Sequence, residues 1–252
     1  MHQLQSNAHE IVTLGKSPNL SGDPATRRRE ALVKEFSVFS NLSPAGFREV
    51  VSSATDKELL RRQTIFIEGD PIRQVLLLTS GCVKITQLGQ NGAEVILRLN
   101  GPGELVGTLG VSASANHLVT ARTTQTSTAL VWDAAVFESV CDRFPILRRN
   151  TERILSQRLH ELEERFREIS TQKVAPRLSH QLIRLLNQLG RRVNGSAEIG
   201  LSREELAQLT GTTLFTVSRL LCQWEKLGII STRRESVLVC DLPALTALSQ
   251  DE

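Results

Sequence analysis

Apolar and polar positions divide the 252-residue chain into three regions of different period. Between Glu58 and Trp132, short apolar runs alternate with turn formers: Thr64-Ile65-Phe66-Ile67, Val75-Leu76-Leu77-Leu78, Val83-Lys84-Ile85 and Val95-Ile96-Leu97-Arg98-Leu99. Runs of this length predict strands. Glu68-Gly69-Asp70-Pro71, Gly89-Gln90-Asn91-Gly92 and Asn100-Gly101-Pro102-Gly103 supply the positive or fixed φ that tight reversals need. Many short strands joined in this way predict a β-roll or barrel.

The period changes at Phe137. Between Pro145 and Ser170 no glycine or further proline interrupts the chain, and Leu155, Leu159, Leu162, Phe166 and Ile169 follow a 4-3-4-3 spacing. The other faces carry Arg158, Glu161, Glu163, Glu164, Arg165, Arg167 and Glu168. A narrow apolar stripe on a charged helix fits a homodimer seam; packing on the chain's own β domain is the alternative. A second helical pattern, Leu178, Leu182, Ile183, Leu185, Leu186 and Leu189, stops at Gly190, and Arg191 to Gly200 reads as a loop.

The third region carries the chemistry. Ser202-Arg203-Glu204-Glu205 is a capping box that starts a helix at Arg203, and Gly211 stops it. A new period follows at Leu214, Val217, Leu220, Leu221 and Trp224. Small Ala207 lets two short helices cross closely, Gly211 makes the turn, and Val217 packs the second helix on the first. Thr212, Thr213, Leu214, Phe215, Ser218 and Arg219 are left on or near the outward face. Arg219 stands where a bidentate guanine contact is made, and threonines at a helix start can donate to phosphate. A hairpin wing follows: Ile229 to Thr232, a turn at Arg233 to Ser236, then Val237 to Val239. These features favour a reader of double-stranded DNA over a helical hairpin with no ligand.

The expected architecture is therefore α+β: a flexible tail at 1–30, a sensing β-roll at 31–144, a dimerisation helix at 145–171 and a winged helix-turn-helix at 172–245. The formal net charge of +3 decides little about partners. No apolar run approaches the about 20 residues of a membrane span, and the N-terminus lacks the order of a secretory signal, so a cytoplasmic protein without a membrane role is expected. Cys82, Cys141, Cys222 and Cys240 are too scattered for a zinc or redox motif, which predicts no metal and mostly packed, reduced thiols. A jelly-roll enzyme would need a His/Glu metal cluster, and His117 is the only histidine among the strands, so no enzyme is expected.

The segments Leu201 to Gly211, Thr216 to Leu221, Leu227 to Ile230, Ile67 to Asp70, Gly81 to Ile85 and Pro102 to Gly107 resemble the CRP/FNR superfamily of bacterial regulators over roughly Phe36 to Leu242. The resemblance implies a cyclic-nucleotide-binding-like (cNMP-binding-like) jelly roll, a long dimer helix, a palindromic DNA site and RNA polymerase as a partner. It implies that Arg219 reads guanine, that Ser202, Arg203, Thr213 and Thr216 hold phosphates, and that Ser218 lies near base edges. Phe215 replaces a glutamate of the cyclic-AMP responders and oxygen sensors, and Leu214 an arginine of the former. In the effector pocket Gly107-Thr108 stands where cyclic-AMP binders have Gly-Glu, His117-Leu118 where they have Arg-Ser, and Glu163-Glu164 where a Thr-Ser pair touches adenine. These departures argue against cAMP (cyclic AMP) as the effector. No cysteine precedes Cys82, which argues against an FNR-type Fe-S (iron-sulfur) cluster. Haem would need His117 or Cys82 as its axial ligand, against the commoner reading of a lone histidine as polar surface. The effector stays an unidentified small molecule or a redox signal acting on Cys141 or Cys222.

Overall fold

The computed structural model describes residues 24–90, 92, 94–107, 115–193 and 196–250. Helix α1 (Pro24–Val33) begins inside the stretch expected to be a flexible tail. It is tied down: Thr26 and Val33 are buried, and the Arg29 guanidinium donates to Asp56 and to the carbonyl of Ala54. The remainder of the expected tail, residues 1–23, lies outside the described residues. A 3-10 turn at Ser37–Phe39 leads to α2 (Pro44–Ser52), whose cap is Ser43 Oγ accepting from the amide of Gly46.

Eight strands follow: β1 (Thr55–Leu59), β2 (Thr64–Phe66), β3 (Gln74–Ser80), β4 (Val83–Leu88), β5 (Glu94–Asn100), β6 (Leu105–Val106), β7 (Thr120–Thr123) and β8 (Ser127–Asp133). They form two antiparallel sheets ordered β1-β8-β3-β6 and β2-β7-β4-β5. Strand alternation splits β3 between two cores. Leu76 and Leu78 meet Phe66, Val83, Ile85 and Val131 within the roll, while Leu77 meets Val50, Trp132 and Phe137 under the helices. Trp132 closes that second core by donating its indole N–H to the carbonyl of Val50 at 2.9 Å. Gly81 turns β3 into β4 at φ +90°, and a Cβ there would lie 2.1 Å from Ser127 Oγ, so no other residue fits.

Helix α3 (Ala134–Arg143) is capped by Asp133 and gives way to α4 (Pro145–Thr171), whose bounds are those expected from its lack of breakers. The buried Asn150 amide anchors α4 by donating to the carbonyls of Val38 and Ser40 at 2.9 and 2.8 Å. After a break at Gln172 comes α5 (Val174–Leu189). The expected loop from 191 to 200 is instead two strands, β9 (Arg191–Val193) and β10 (Ser196–Ile199). Strand β10 is held by the wing, pairing Ala197 with Val239 and Ile199 with Val237.

The last elements are α6 (Arg203–Thr210), α7 (Leu214–Lys226), β11 (Ile230–Arg233), β12 (Ser236–Val239) and α8 (Leu242–Leu248), which runs past the expected domain end at 245. The wing sheet has the order β11-β12-β10-β9. Its core joins Leu178, Leu182, Leu206, Val217, Leu221, Trp224 and Leu245, and Cys82, Ile96 and Leu99 of the β domain enter the same cluster. The C-terminal domain is thus docked on β5.

Candidate nucleic-acid interface

The helix-turn-helix is built as its sequence requires. Ser202 Oγ accepts from the Glu205 amide at 3.2 Å, and the Glu205 carboxylate accepts from the Ser202 amide at 2.9 Å. Gly211 ends α6 in the left-handed conformation, φ 60° and ψ 43°. Thr213 then caps α7 by accepting from the Thr216 amide at 3.2 Å. Val217, Leu220, Leu221 and Trp224 form the buried stripe of α7. At 100° per residue, Phe215, Arg219, Cys222 and Lys226 form the opposite stripe, and all are exposed. Among the described residues Arg219 has no hydrogen bond or ion pair, so its guanidinium is free to engage a base edge.

Of the other expected DNA residues, Thr213 and Leu214 are exposed, and Thr212, Thr216 and Ser218 are half-buried. Arg203 is half-buried and donates to Thr232 Oγ1 at 3.0 Å, while Glu225 accepts from the Thr232 amide at 2.6 Å. That backbone bond comes first among the causes holding the Glu225 carboxyl below its ordinary pKa. Helix α6, the wing and α7 are thereby joined through one threonine. Ser202 is not on the open face of α7. It lines a cleft between α6 and the β domain with Arg61, Lys84, Arg122 and Glu94. In the same cleft, Arg61 and Arg62 both hold Glu235 of the wing turn.

The effector-pocket residues are only partly brought together. Gly107 and His117 are neighbours, a Cβ on the glycine lying 3.6 Å from His117 Cε1. His117 is not polar surface as expected: it is 4% exposed, and its ring stacks on Phe66 with centroids 3.5 Å apart. Burial lowers its pKa, with Asp70 opposing in part, so the ring is held neutral. Leu118 is exposed, Thr108 lies outside the described residues, Glu163 faces solvent, and Glu164 pairs with Arg167 on its own helix.

Two arginines of α4, whose contacts were missed in the sequence, reach the β5–β6 region of the β domain. Arg158 donates to the carbonyl of Leu105 at 2.8 Å, and Arg165 donates to the carbonyls of Leu97 and Leu209. They stand seven residues apart, hence on one face of the helix, and that spacing was the available signal. Arg98 on β5 is lowered to about 10, by burial first and by the charge of Arg158 second.

Along the expected seam, Leu155 is half-buried, whereas Leu159, Leu162, Phe166 and Ile169 are exposed, Phe166 at 72%. Where α4 ends, Glu168 is buried and accepts two hydrogen bonds from Arg184 of α5, at 2.6 and 2.7 Å. The expectation of mostly packed thiols needs correction, since Cys82 and Cys141 are buried but Cys222 and Cys240 are exposed. Burial pushes the Cys141 thiol up to about 11, which leaves almost no thiolate at neutral pH and makes it a poor target for oxidation. Among the described residues no group of three or more His, Cys, Asp or Glu side chains could hold a metal ion, and no helix is long and apolar enough to cross a membrane.

Two family models match the chain: a cyclic nucleotide-binding domain over residues 56–144 and a Crp-like helix-turn-helix domain over residues 176–248. A curated relative from Mycobacterium tuberculosis, the CRP-like cAMP-activated global transcriptional regulator, is 27% identical over 207 residues, covering 81% of this chain and 92% of its own. The transcriptional activator protein anr of Pseudomonas aeruginosa is 25% identical over 195 residues, covering 77% and 80%. Among solved structures, FixK2 from Bradyrhizobium japonicum superposes with a TM-score of 0.68 at 20% identity, covering 79% of this chain and 98% of its own.

Proposed function

The chain belongs to the CRP/FNR superfamily of DNA-binding transcription regulators, and from that membership we propose that it acts as a homodimer on a palindromic site, under the control of an effector sensed by the β domain. The observation that carries this reading is Arg219, exposed and without a hydrogen bond or ion pair among the described residues, at the middle of the outward stripe of α7. A guanidinium there makes the bidentate contact to guanine O6 and N7 that distinguishes this base. The uncovered stripe Leu159, Leu162 and Phe166 supports dimerisation, because it would otherwise stay in water. Two recognition helices related by a two-fold axis enter successive major grooves about 34–36 Å apart, which makes the site a palindrome. RNA polymerase is the partner that the superfamily implies.

The M. tuberculosis relative is named for activation by cyclic AMP. A different effector is the reading here: neutral, stacked His117 and exposed Leu118 offer no fixed countercharge to a cyclic phosphate. Selection of bound DNA from a random pool, with and without candidate effectors, tests the whole reading. A palindrome is expected, and Arg219→Ala should cost about 1–3 kcal/mol and relax preference at one guanine per half-site. A non-palindromic motif, or an Arg219→Ala protein with every base preference intact, would refute it.

A further inference from the structure

Phe215 is the most exposed large apolar side chain among the described residues, with 76% of its surface open to solvent. It is not a core residue displaced from its place, because the opposite face of α7 is filled by Val217, Leu220, Leu221 and Trp224. Its backbone is fixed by the Thr213 cap two residues before it. Leu214 beside it is exposed too. Besides the small thiol of Cys222, the rest of the stripe, Arg219 and Lys226, is cationic and without ion-pair partners among the described residues, so the surface suits a polyanion better than an apolar protein groove.

On a double helix the major-groove base edges offer one apolar group, the 5-methyl of thymine. We infer that Phe215, with Leu214 alongside, reads a thymine methyl and makes thymine a specified base of each half-site. The inference rests on the reading that α7 enters the major groove. Geometry also places the base. Phe215 and Arg219 are four residues apart, about 6 Å along the helix axis at about 1.5 Å per residue. With base pairs about 3.4 Å apart, the thymine lies about two steps from the guanine taken by Arg219.

Replacing thymine by deoxyuridine, one position at a time, in the site returned by selection removes that methyl and leaves every hydrogen-bonding group in place. The wild-type full-length chain should bind about fourfold more weakly when the specified thymine of a half-site is replaced, the effect of burying one methyl group. Phe215→Ala should bind thymine and uracil sites equally while keeping its guanine preference. If no thymine position responds to the replacement, or if Phe215→Ala keeps the wild-type thymine-to-uracil ratio, the inference is wrong even though the protein reads DNA. If selection enriches no sequence at all, the reading of α7 as a major-groove helix falls, and this inference with it.

Discussion

Glu168 joins the helix that carries the exposed seam to the domain that carries Arg219, and its removal has a calculable effect. Its carboxylate is 5% exposed and accepts a bidentate pair from Arg184, whose side chain is 38% exposed. Two more guanidiniums close in from neighbouring positions, Arg165 bound to Leu97 and Leu209, and Arg177 bound to the carbonyls of Ile169 and Gln172. Arg184→Met leaves a buried carboxylate with only His180 Nδ1, 4.0 Å away, and guanidiniums that donate elsewhere, and breaking a buried pair in this way costs about 3–5 kcal/mol. Glu168→Gln should cost less, about 2 kcal/mol, because the amide keeps one acceptor and the half-exposed Arg184 can turn to water. Replacing both by methionine should come within about 1 kcal/mol of wild type, since well-packed apolar side chains substitute for a buried pair at little net cost. Urea unfolding followed by circular dichroism and tryptophan fluorescence, at fixed protomer concentration, measures all three. An Arg184→Met cost below about 1 kcal/mol, or a double-methionine variant no more stable than Arg184→Met alone, would show that the pair does not form this connection.

Leu159→Glu places a charge in the middle of the exposed stripe on α4, and sedimentation should show the variant as monomer at protomer concentrations where the wild type is dimer; a wild-type monomer, or a variant that still dimerises tightly, refutes the seam. His117 is held neutral by burial, its folded pKa lying below the ordinary value of 6.5, so the unfolded chain binds the extra proton more readily. The stability this contributes is complete above about pH 6.5 and is lost as pH falls from there through the folded pKa. Urea midpoints taken between pH 7.5 and pH 5 should therefore fall less steeply for His117→Phe than for the wild type, and equal slopes would contradict the neutral, stacked assignment.

What the sequence made legible follows from how local each cause is. The capping box at Ser202 and Glu205, the left-handed stop at Gly211 and the buried spacing of Val217, Leu221 and Trp224 are set by residues within a few positions of one another, and each is found where the pattern put it. The bounds of α4 are equally local, since proline starts it and no breaker interrupts it. Strands β9 and β10 escaped because β10 is held by Val237 and Val239, some forty residues on, and only the Asn194-Gly195 pair hinted at a hairpin. His117 was misread for the same reason: nothing near it in sequence announces that Phe66 will lie flat against its ring.

The least legible feature is the docking of the two domains, and it changes what the candidate interface is. Ile96 and Leu99 belong to strand β5, yet they pack with Leu206 and Leu209 of α6, and no alternation within β5 tells an outer face bound by a helix from one open to water. The same docking turns Ser202 toward Arg61, Lys84 and Arg122, and engages the wing through Glu235. Arg219 and Phe215 stay open on the other side of α7 throughout. The two residues to which the proposed reading gives base choice are therefore separated from Ser202, one of those expected to hold phosphate: the former are presented to solvent, while the latter shares a cleft with the β domain. On the proposed reading, base choice rests on side chains of α7 that this docking leaves open, whereas a phosphate contact by Ser202 depends on how α6 sits against the β domain.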